Sequence, residues 1–194
     1  MAVLTVLTKK LSVLREEFAM SLSIVIGNVA AEIQATTKML FETMIMMDLK
    51  SDSAALVDET QIKTDVIGMV SFTGKFYGVV GIFCSRPLAI KMASSMLMME
   101  LASFNSDVKD AIGEITNMIA GNVKTKLTSL YGEMNLSIPI VIAGEGLTIT
   151  AVNNSPVVSD ASISCFSKDP WLMMPFITNN EKFNVGLLLK ESGK

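Results

Sequence analysis

The chain has no histidine among its 194 residues. Histidine is the usual general base near neutral pH and the commonest zinc ligand, so both kinds of site lack their first candidate. The two cysteines, Cys84 and Cys165, stand alone in apolar, β-favouring runs. That setting favours small buried hydrophobes, although a disulfide or a reactive thiol stays open. Acidic residues such as Asp58, Glu59 and Asp65 show no ligand spacing, so the sequence predicts no metal site.

A long apolar run is also missing, although the mean hydropathy is +0.48. A membrane-spanning helix needs about 18–20 consecutive apolar residues. The best candidate, residues 18–31, is interrupted by two serines and an asparagine. Glu16 and Glu17 precede it, where a signal peptide requires positive charge. With a net charge of -3 and no basic patch, the sequence predicts a cytoplasmic protein that binds neither membrane nor nucleic acid.

What the chain does contain is typical of one globular domain spanning residues 1–194, because half of its residues are apolar and 18% are charged. Residues 1–20 stay open as an N-terminal helical extension or a segment swapped onto a partner subunit. An amphipathic helix ending near Asp48 is predicted by apolar residues at helical spacing, namely Leu22, Ile26, Val29, Ile33, Leu40 and Met44. A polar loop is expected over residues 51–59.

The rest of the chain alternates between strand and helix signals. Residues 62–72 and 76–84 are β-favouring runs around a glycine-containing turn, which predicts a β-hairpin. Arg86-Pro87 opens a short helix over 88–101, and a longer helix covers 107–130. Short strands follow at 136–143, 163–166, 172–178 and 183–189. This pattern predicts an α/β (α+β) domain with a largely antiparallel sheet.

The helix over 107–130 carries the most information about function. With about 100° of rotation per residue, one arc of about 120° collects a stripe of apolar residues, Val108, Ile112, Ile115, Ile119, Val123, Leu127 and Leu130. The opposite side collects Asp110, Glu114, Asn117, Gly121 and Thr128. Glu114 and Asn117 are therefore expected side by side, one turn apart, pointing to solvent.

Two interpretations of this polar side are open. The first is an ordinary solvated helix surface, where carboxylates and amides belong. The second is a docking surface for another protein, and Gly113 and Gly121 favour it. Each glycine destabilises a helix interior by about 1 kcal/mol relative to alanine, and both are expected away from the buried stripe, where they keep the surface low.

The string Gly-Glu-Ile-Thr-Asn-Met-Ile-Ala-Gly-Asn over residues 113–122 resembles the signature helix of the CheC/CheX/FliY phosphatase family, whose core is Glu-x-x-Asn. Asp110 and Pro139 match the family's upstream acid and downstream proline. Glu32 in the first helix is followed by Ala35 at the asparagine position, so only one motif helix is expected. A single motif resembles the CheX type, and the resemblance covers about residues 20–190.

The resemblance implies a CheC-like fold, with two long helices packed on one face of the sheet, and a homodimer joined edge to edge. It implies hydrolysis of the aspartyl-phosphate of a CheY-like response regulator. Asn117 would orient the attacking water, Glu114 would dock to the regulator's active-site lysine, and Gly113 and Gly121 would lie in the docking surface. Asp110 would orient the partner or lie at the rim, or serve only as a solvating charge. The regulator would bring the Mg²⁺, so the chain needs no cofactor of its own.

Two non-catalytic alternatives are kept. The chain could bind a response regulator without hydrolysing its phosphoryl group, or it could be a structural component associated with the flagellar switch. An asparagine retained in the motif favours catalysis, because simple binding does not require an amide at that position.

Overall fold

The sheet is the frame on which the helices lie. The computed structural model describes residues 24–57, 62–151, 162–165 and 171–192. In these residues the strands form a single sheet with the order β1-β8-β9-β4-β3-β6-β7, with β2 also paired to β8 and β5 to β3. The strands are β1 Lys50–Ser51, β2 Ala55–Val57, β3 Ile62–Gly74, β4 Phe76–Cys84, β5 Met134–Leu136, β6 Ile140–Ala151, β7 Ser162–Cys165, β8 Trp171–Thr178 and β9 Glu181–Glu191. All pairs are antiparallel except β6 with β7.

Three helices accompany this sheet in the described residues. The described part of α1 covers residues 24–40 and continues into a π-helical turn, Phe41–Ile45. Helix α2 is Arg86–Leu97 and helix α3 is Ser106–Tyr131. Each of the latter two begins at a side-chain cap, because Ser85 Oγ accepts from the Leu88 N–H and Asn105 Oδ1 accepts from the Val108 N–H.

The main core lies between the helices and one face of the sheet. It joins apolar residues of all three helices to inward-facing residues of β3, β4, β8 and β9, such as Val70, Val80 and Val185. A second, smaller apolar cluster lies on the opposite face and includes Phe83 and Trp171, whose rings meet edge to face at 5.7 Å. The long helices therefore cover one face of a largely antiparallel sheet, as the sequence predicts.

Several predicted boundaries are wrong. The expected loop over 51–59 contains part of β1 and all of β2. Helix α2 ends at Leu97 rather than 101, since Met98 adopts a left-handed conformation (φ 52°). The predicted strand 136–143 is two strands, separated at Ser137-Ile138-Pro139. The 62–84 hairpin is confirmed.

Other predictions fall on residues that the structure does not describe. The possible extension over residues 1–20 lies outside the described residues, as do Asp58 and Glu59. The assignment of residues 1–194 to one domain stays a prediction. Within the described part of the chain, no helix has the length and apolar character needed to cross a membrane.

Candidate active site

Helix α3 is held on more sides than its apolar stripe predicts. Its buried residues span about 200° of the helix at about 100° per residue, from Ala111 around to Gly113, and include Thr116 and Ala120. The helix packs against β3 beneath it, against α2 on one side and against β5 and β6 on the other. Leu130, predicted in the buried stripe, is 49% exposed because the end of α3 is anchored instead by Tyr131, which packs edge to face on Phe76.

The height of α3 above the sheet depends on Gly68 in β3. A Cβ added at Gly68 would lie 2.3 Å from Thr116 Oγ1 and 3.1 Å from Ile112 Cγ2. Thr116 is fully buried, and its Oγ1 donates to Ile112 O at 2.7 Å. Because Thr116 is fixed against the sheet, its neighbours Glu114, Ile115 and Asn117 have fixed directions around the helix.

Glu114 and Asn117 lie on the side of α3 that faces away from the sheet. Glu114 is exposed and Asn117 is half-buried. Their spacing of three residues makes them neighbours on the helix surface, with Cβ atoms about 5–6 Å apart. Among the described residues, neither side chain has a hydrogen-bond or ion-pair partner. One acid and one amide thus stand together with their polar groups available to a ligand.

Asp110 extends this polar surface by one turn toward the start of α3. It is exposed and lines an open groove of about 380 Å³ between α2 and α3. The groove is lined by Met96, Leu97, Asp107, Asp110, Ala111 and Glu114. Sequence reasoning missed the α2 wall of this groove, although the apolar Met96-Leu97-Met98-Met99 run at the expected helix end was a usable signal.

The two glycines of the predicted docking surface have different surroundings. A Cβ at Gly121 would meet open space, whereas a Cβ at Gly113 would touch Val141 Cγ2 at 3.5 Å and Pro139 at 3.8 Å. The outward orientation predicted for Gly113 is therefore wrong, because the segment between β5 and β6 folds back over that side of α3. Gly113 is buried where the segment Ser137-Ile138-Pro139, called the Pro139 segment below, packs against the helix one turn before Asn117.

Other candidate groups are used by the fold. Asp65 accepts hydrogen bonds from the backbone N–H groups of Arg86 at 3.3 Å and Gly146 at 3.2 Å. Cys84 is buried, as predicted, and burial raises the pKa of its thiol to about 12, with smaller contributions from Asp65 and Glu181. The side chain of Cys165 lies outside the described residues. Within the described ranges, no three or more acidic or cysteine side chains are grouped to hold a metal ion.

Comparison with known proteins identifies the class of this helix and sheet. The family model described as chemotaxis phosphatase CheX matches residues 66–160, a range that contains all of α3 and the Pro139 segment. The CheY-P phosphatase CheX of Thermotoga maritima is 28% identical over 121 residues, which cover 62% of this chain and 76% of that protein. The crystal structure of CheX from Desulfovibrio desulfuricans superposes with a TM-score of 0.69 at 27% identity, covering 84% of this chain and 99% of that one.

The family match and these relatives together support a CheX-type chemotaxis phosphatase. The sequence prediction of a CheX-type protein with a CheC-like fold is thereby confirmed. The fold likeness extends to the CheX chain in a CheX-CheY-BeF3-Mg²⁺ complex from Borrelia burgdorferi, with a TM-score of 0.62 at 20% identity over 84% of this chain and 97% of that one. In this CheX-type protein, Glu114 and Asn117 occupy the outward side of the longest described helix.

Proposed function

We propose that this CheX-type protein hydrolyses the aspartyl-phosphate of a CheY-type response regulator at Glu114 and Asn117. The observation that carries the proposal is the exposed carboxylate of Glu114 beside the half-buried amide of Asn117, one helical turn apart, with no side-chain partner for either among the described residues. The name of the Thermotoga maritima relative, a CheY-P phosphatase, supports the substrate class. The Borrelia burgdorferi CheX-CheY-BeF3-Mg²⁺ complex supports a CheY-type partner for a CheX protein.

Asn117 is the catalytic residue of this proposal. An amide offers both a donor and an acceptor, so it can hold a water molecule in line with the acyl phosphate. The water oxygen forms a bond to phosphorus while the bond between phosphorus and the aspartate oxygen breaks. The products are the free carboxylate, inorganic phosphate and a proton. Because the transition state is loose, orientation contributes more than deprotonation of the water.

The regulator supplies the charge stabilisation that this chain lacks. Its Mg²⁺ and its active-site lysine neutralise the phosphoryl oxygens. Glu114 contacts that lysine and fixes the register of the two proteins. On docking, its carboxylate loses part of its solvation, so alignment with the lysine matters more than the attraction alone. Cys84 is excluded as a nucleophile, because its thiol is buried and its pKa is about 12.

The remaining residues of the predicted site have supporting roles. Asp110 orients the partner from the rim, and Gly121 keeps the docking surface low beside Asn117. Gly113 lies outside the docking surface and contributes indirectly, because the Pro139 segment packs against α3 at this position. The protein works as a cytoplasmic homodimer, with subunits joined edge to edge, away from α3. Strand edges permit such pairing, and β7 forms one end of the strand order within the described sheet.

Phosphate release from a phosphorylated CheY-type regulator of the same organism tests the proposal. Wild type should accelerate release, and Asn117→Ala should abolish the acceleration while leaving regulator binding within about twofold, since only the water contact is lost. Asn122→Ala is the matched control, because Asn122 is an amide of the same helix whose Nδ2 donates to Met118 O. Glu114→Ala should weaken both binding and turnover, whereas Glu133→Ala, at an exposed glutamate beyond the end of α3, should change neither.

The same assay separates the non-catalytic alternatives. Binding of a regulator without any acceleration of phosphate release would favour a sequestering protein and refute the phosphatase proposal. Binding to flagellar switch components, with no binding to a regulator, would favour the structural alternative.

A further inference from the structure

The groove between α2 and α3 is amphipathic across its width. Its α2 wall is apolar and consists of Met96 and Leu97, and the Leu97 side chain is 41% exposed. Its α3 wall carries three carboxylates, Asp107, Asp110 and Glu114, all exposed. Such a groove offers an apolar surface and negative charge within the length of one side chain.

The carboxylates of the α3 wall have no cationic side chain as a partner in the described part of the chain, and the one at the start of the helix, Asp107, is favoured there by the helix dipole. None of the three forms an ion pair among the described residues, and the side-chain contact of Asp107 is a hydrogen bond accepted from Asn105 Nδ2 at 3.1 Å. The spacing of Asp107, Asp110 and Glu114 puts them on adjacent turns, where like charges repel one another and destabilise the helix. A cation entering the groove would relieve this repulsion.

The end of α2 adds to the preference for a cation. Met96 and Leu97 are the last residues of that helix, so its negative dipole end borders the groove. The conformation at this end is fixed, because the Met98 N–H bonds back to Ser94 O and Ser95 O and the Leu101 N–H bonds to Ser94 Oγ. An apolar wall that is already ordered loses little entropy when a ligand binds.

We propose that this groove binds an arginine or lysine side chain of the regulator, distinct from its active-site lysine. The aliphatic part of that side chain lies along Leu97 and Met96, and its charged end lies between Asp107 and Asp110. Arginine and lysine have this division into an apolar stem and a charged head. The inference rests on the proposed function, because Glu114 is shared between the groove and the acid–amide pair.

A second copy of this chain is a poor occupant of the groove. A two-fold contact centred here would bring the same three carboxylates of each subunit together. Like charges that face each other across an interface oppose association. The net charge of -3 on each chain also opposes the approach of two copies. A regulator with a basic residue beside its phosphorylation site is the occupant that the charges favour.

The test measures binding of the regulator loaded with beryllofluoride and Mg²⁺, at several salt concentrations. Asp107→Asn combined with Asp110→Asn should raise Kd about tenfold and flatten its salt dependence. Leu97→Ser should raise Kd by about three- to tenfold with the salt dependence unchanged, because it removes only apolar contact. Glu133→Gln and Tyr77→Ser are the controls for charge and for an exposed large side chain, and both should leave Kd within about twofold.

The side chain that occupies the groove is identified by a double-mutant cycle. Each surface arginine or lysine near the regulator's phosphorylation site is replaced by alanine and tested against wild type and Asp110→Asn. One of them should couple to Asp110, so that the double variant loses less affinity than the two single losses together. Additivity for every basic residue, or an effect of Glu133→Gln equal to that of Asp110→Asn, would overturn the proposal.

Turnover separates this inference from the proposed function. If wild type releases phosphate and the groove variants bind normally, the groove proposal is wrong and the phosphatase proposal stands. If the groove variants lose affinity but wild type gives no turnover, the groove proposal stands and the catalytic one is wrong. The substituted side chains are exposed, and equal thermal unfolding midpoints for all variants would exclude misfolding as the cause.

Discussion

Two glycine-to-alanine substitutions should change stability in opposite directions, and the structure gives the reason for each sign. At Gly68 the new Cβ would lie 2.3 Å from Thr116 Oγ1 and 3.0 Å from Ile82 Cγ2. Contacts this short force α3 away from β3 or force Thr116 out of its rotamer. Insertion of a methyl group into a filled core costs about 1–3 kcal/mol, so Gly68→Ala should lower the free energy of unfolding by that amount.

Gly121→Ala is the matched substitution with the opposite expectation. The new Cβ meets nothing within 4 Å, and Gly121 lies in the interior of α3. Alanine stabilises such a position by about 0.5–1 kcal/mol, since it restricts the unfolded chain more than glycine does. Urea unfolding at constant m-value measures both changes.

A third variant tests whether Thr116 is the obstacle. Thr116→Ala alone removes a hydrogen bond to Ile112 O and should cost about 1 kcal/mol. Added to Gly68→Ala it also removes the closest clash, so the pair should be less destabilising than the sum by about 0.5–2 kcal/mol. The close packing of α3 on Gly68 would be refuted if Gly68→Ala left the free energy of unfolding unchanged. It would also be refuted if the effects of Gly68→Ala and Thr116→Ala on that free energy were strictly additive.

Three further predictions concern groups outside the acid–amide pair. In a Cys165→Ser background, the Cys84 thiol should resist alkylation in the folded protein and react in urea. In the folded protein the pKa of the Cys84 thiol is raised to about 12 by burial, from an ordinary value of 9.0. Stability should therefore fall as pH rises from about 9 toward 12, and Cys84→Ala should reduce that slope, which urea unfolding at pH 7 and pH 10 measures. Ser137→Ala removes the hydrogen bond that the Ser71 N–H donates to Ser137 Oγ at 3.0 Å. The free energy of unfolding, measured in urea, should fall by about 1 kcal/mol. An unchanged free energy of unfolding would mean that this contact does not hold the Pro139 segment in place. Asp65→Ala strips two backbone N–H groups of their acceptor and should lower the free energy of unfolding by about 1–3 kcal/mol, while regulator binding stays at the wild-type level.

The inner stripe of α3 was predictable because helical periodicity alone determines it. Ile112, Ile115 and Ile119 are buried as expected. The width of the buried arc was not predictable, since a helical wheel does not reveal how many neighbours a helix has. Gly113 is the clearest example, because its burial comes from the Pro139 segment, some two dozen residues away in the sequence.

The strands that the sequence missed depend on partners rather than on their own composition. Lys50 and Ser51 form β1 only by pairing with Ile177 and Phe176 of β8. The β8–β9 turn was also missed as a hairpin, although Asn179 and Asn180 both take positive φ values of 48° and 62°. Two consecutive residues of this kind are the ordinary requirement of a tight hairpin turn.

A mechanism that depends on orientation links the packing beneath α3 to the chemistry above it. Asn117 brings no charge and no proton-transfer group near neutral pH, so its contribution rests on where the helix holds it. A displacement of about 1 Å can cost about a hundredfold in rate. Gly68→Ala should therefore lower turnover per folded molecule, because it lifts the helix that carries Asn117. Asp65→Ala, which weakens the fold at the junction of β3, α2 and β6, should reduce the folded fraction while leaving the turnover of each folded molecule unchanged.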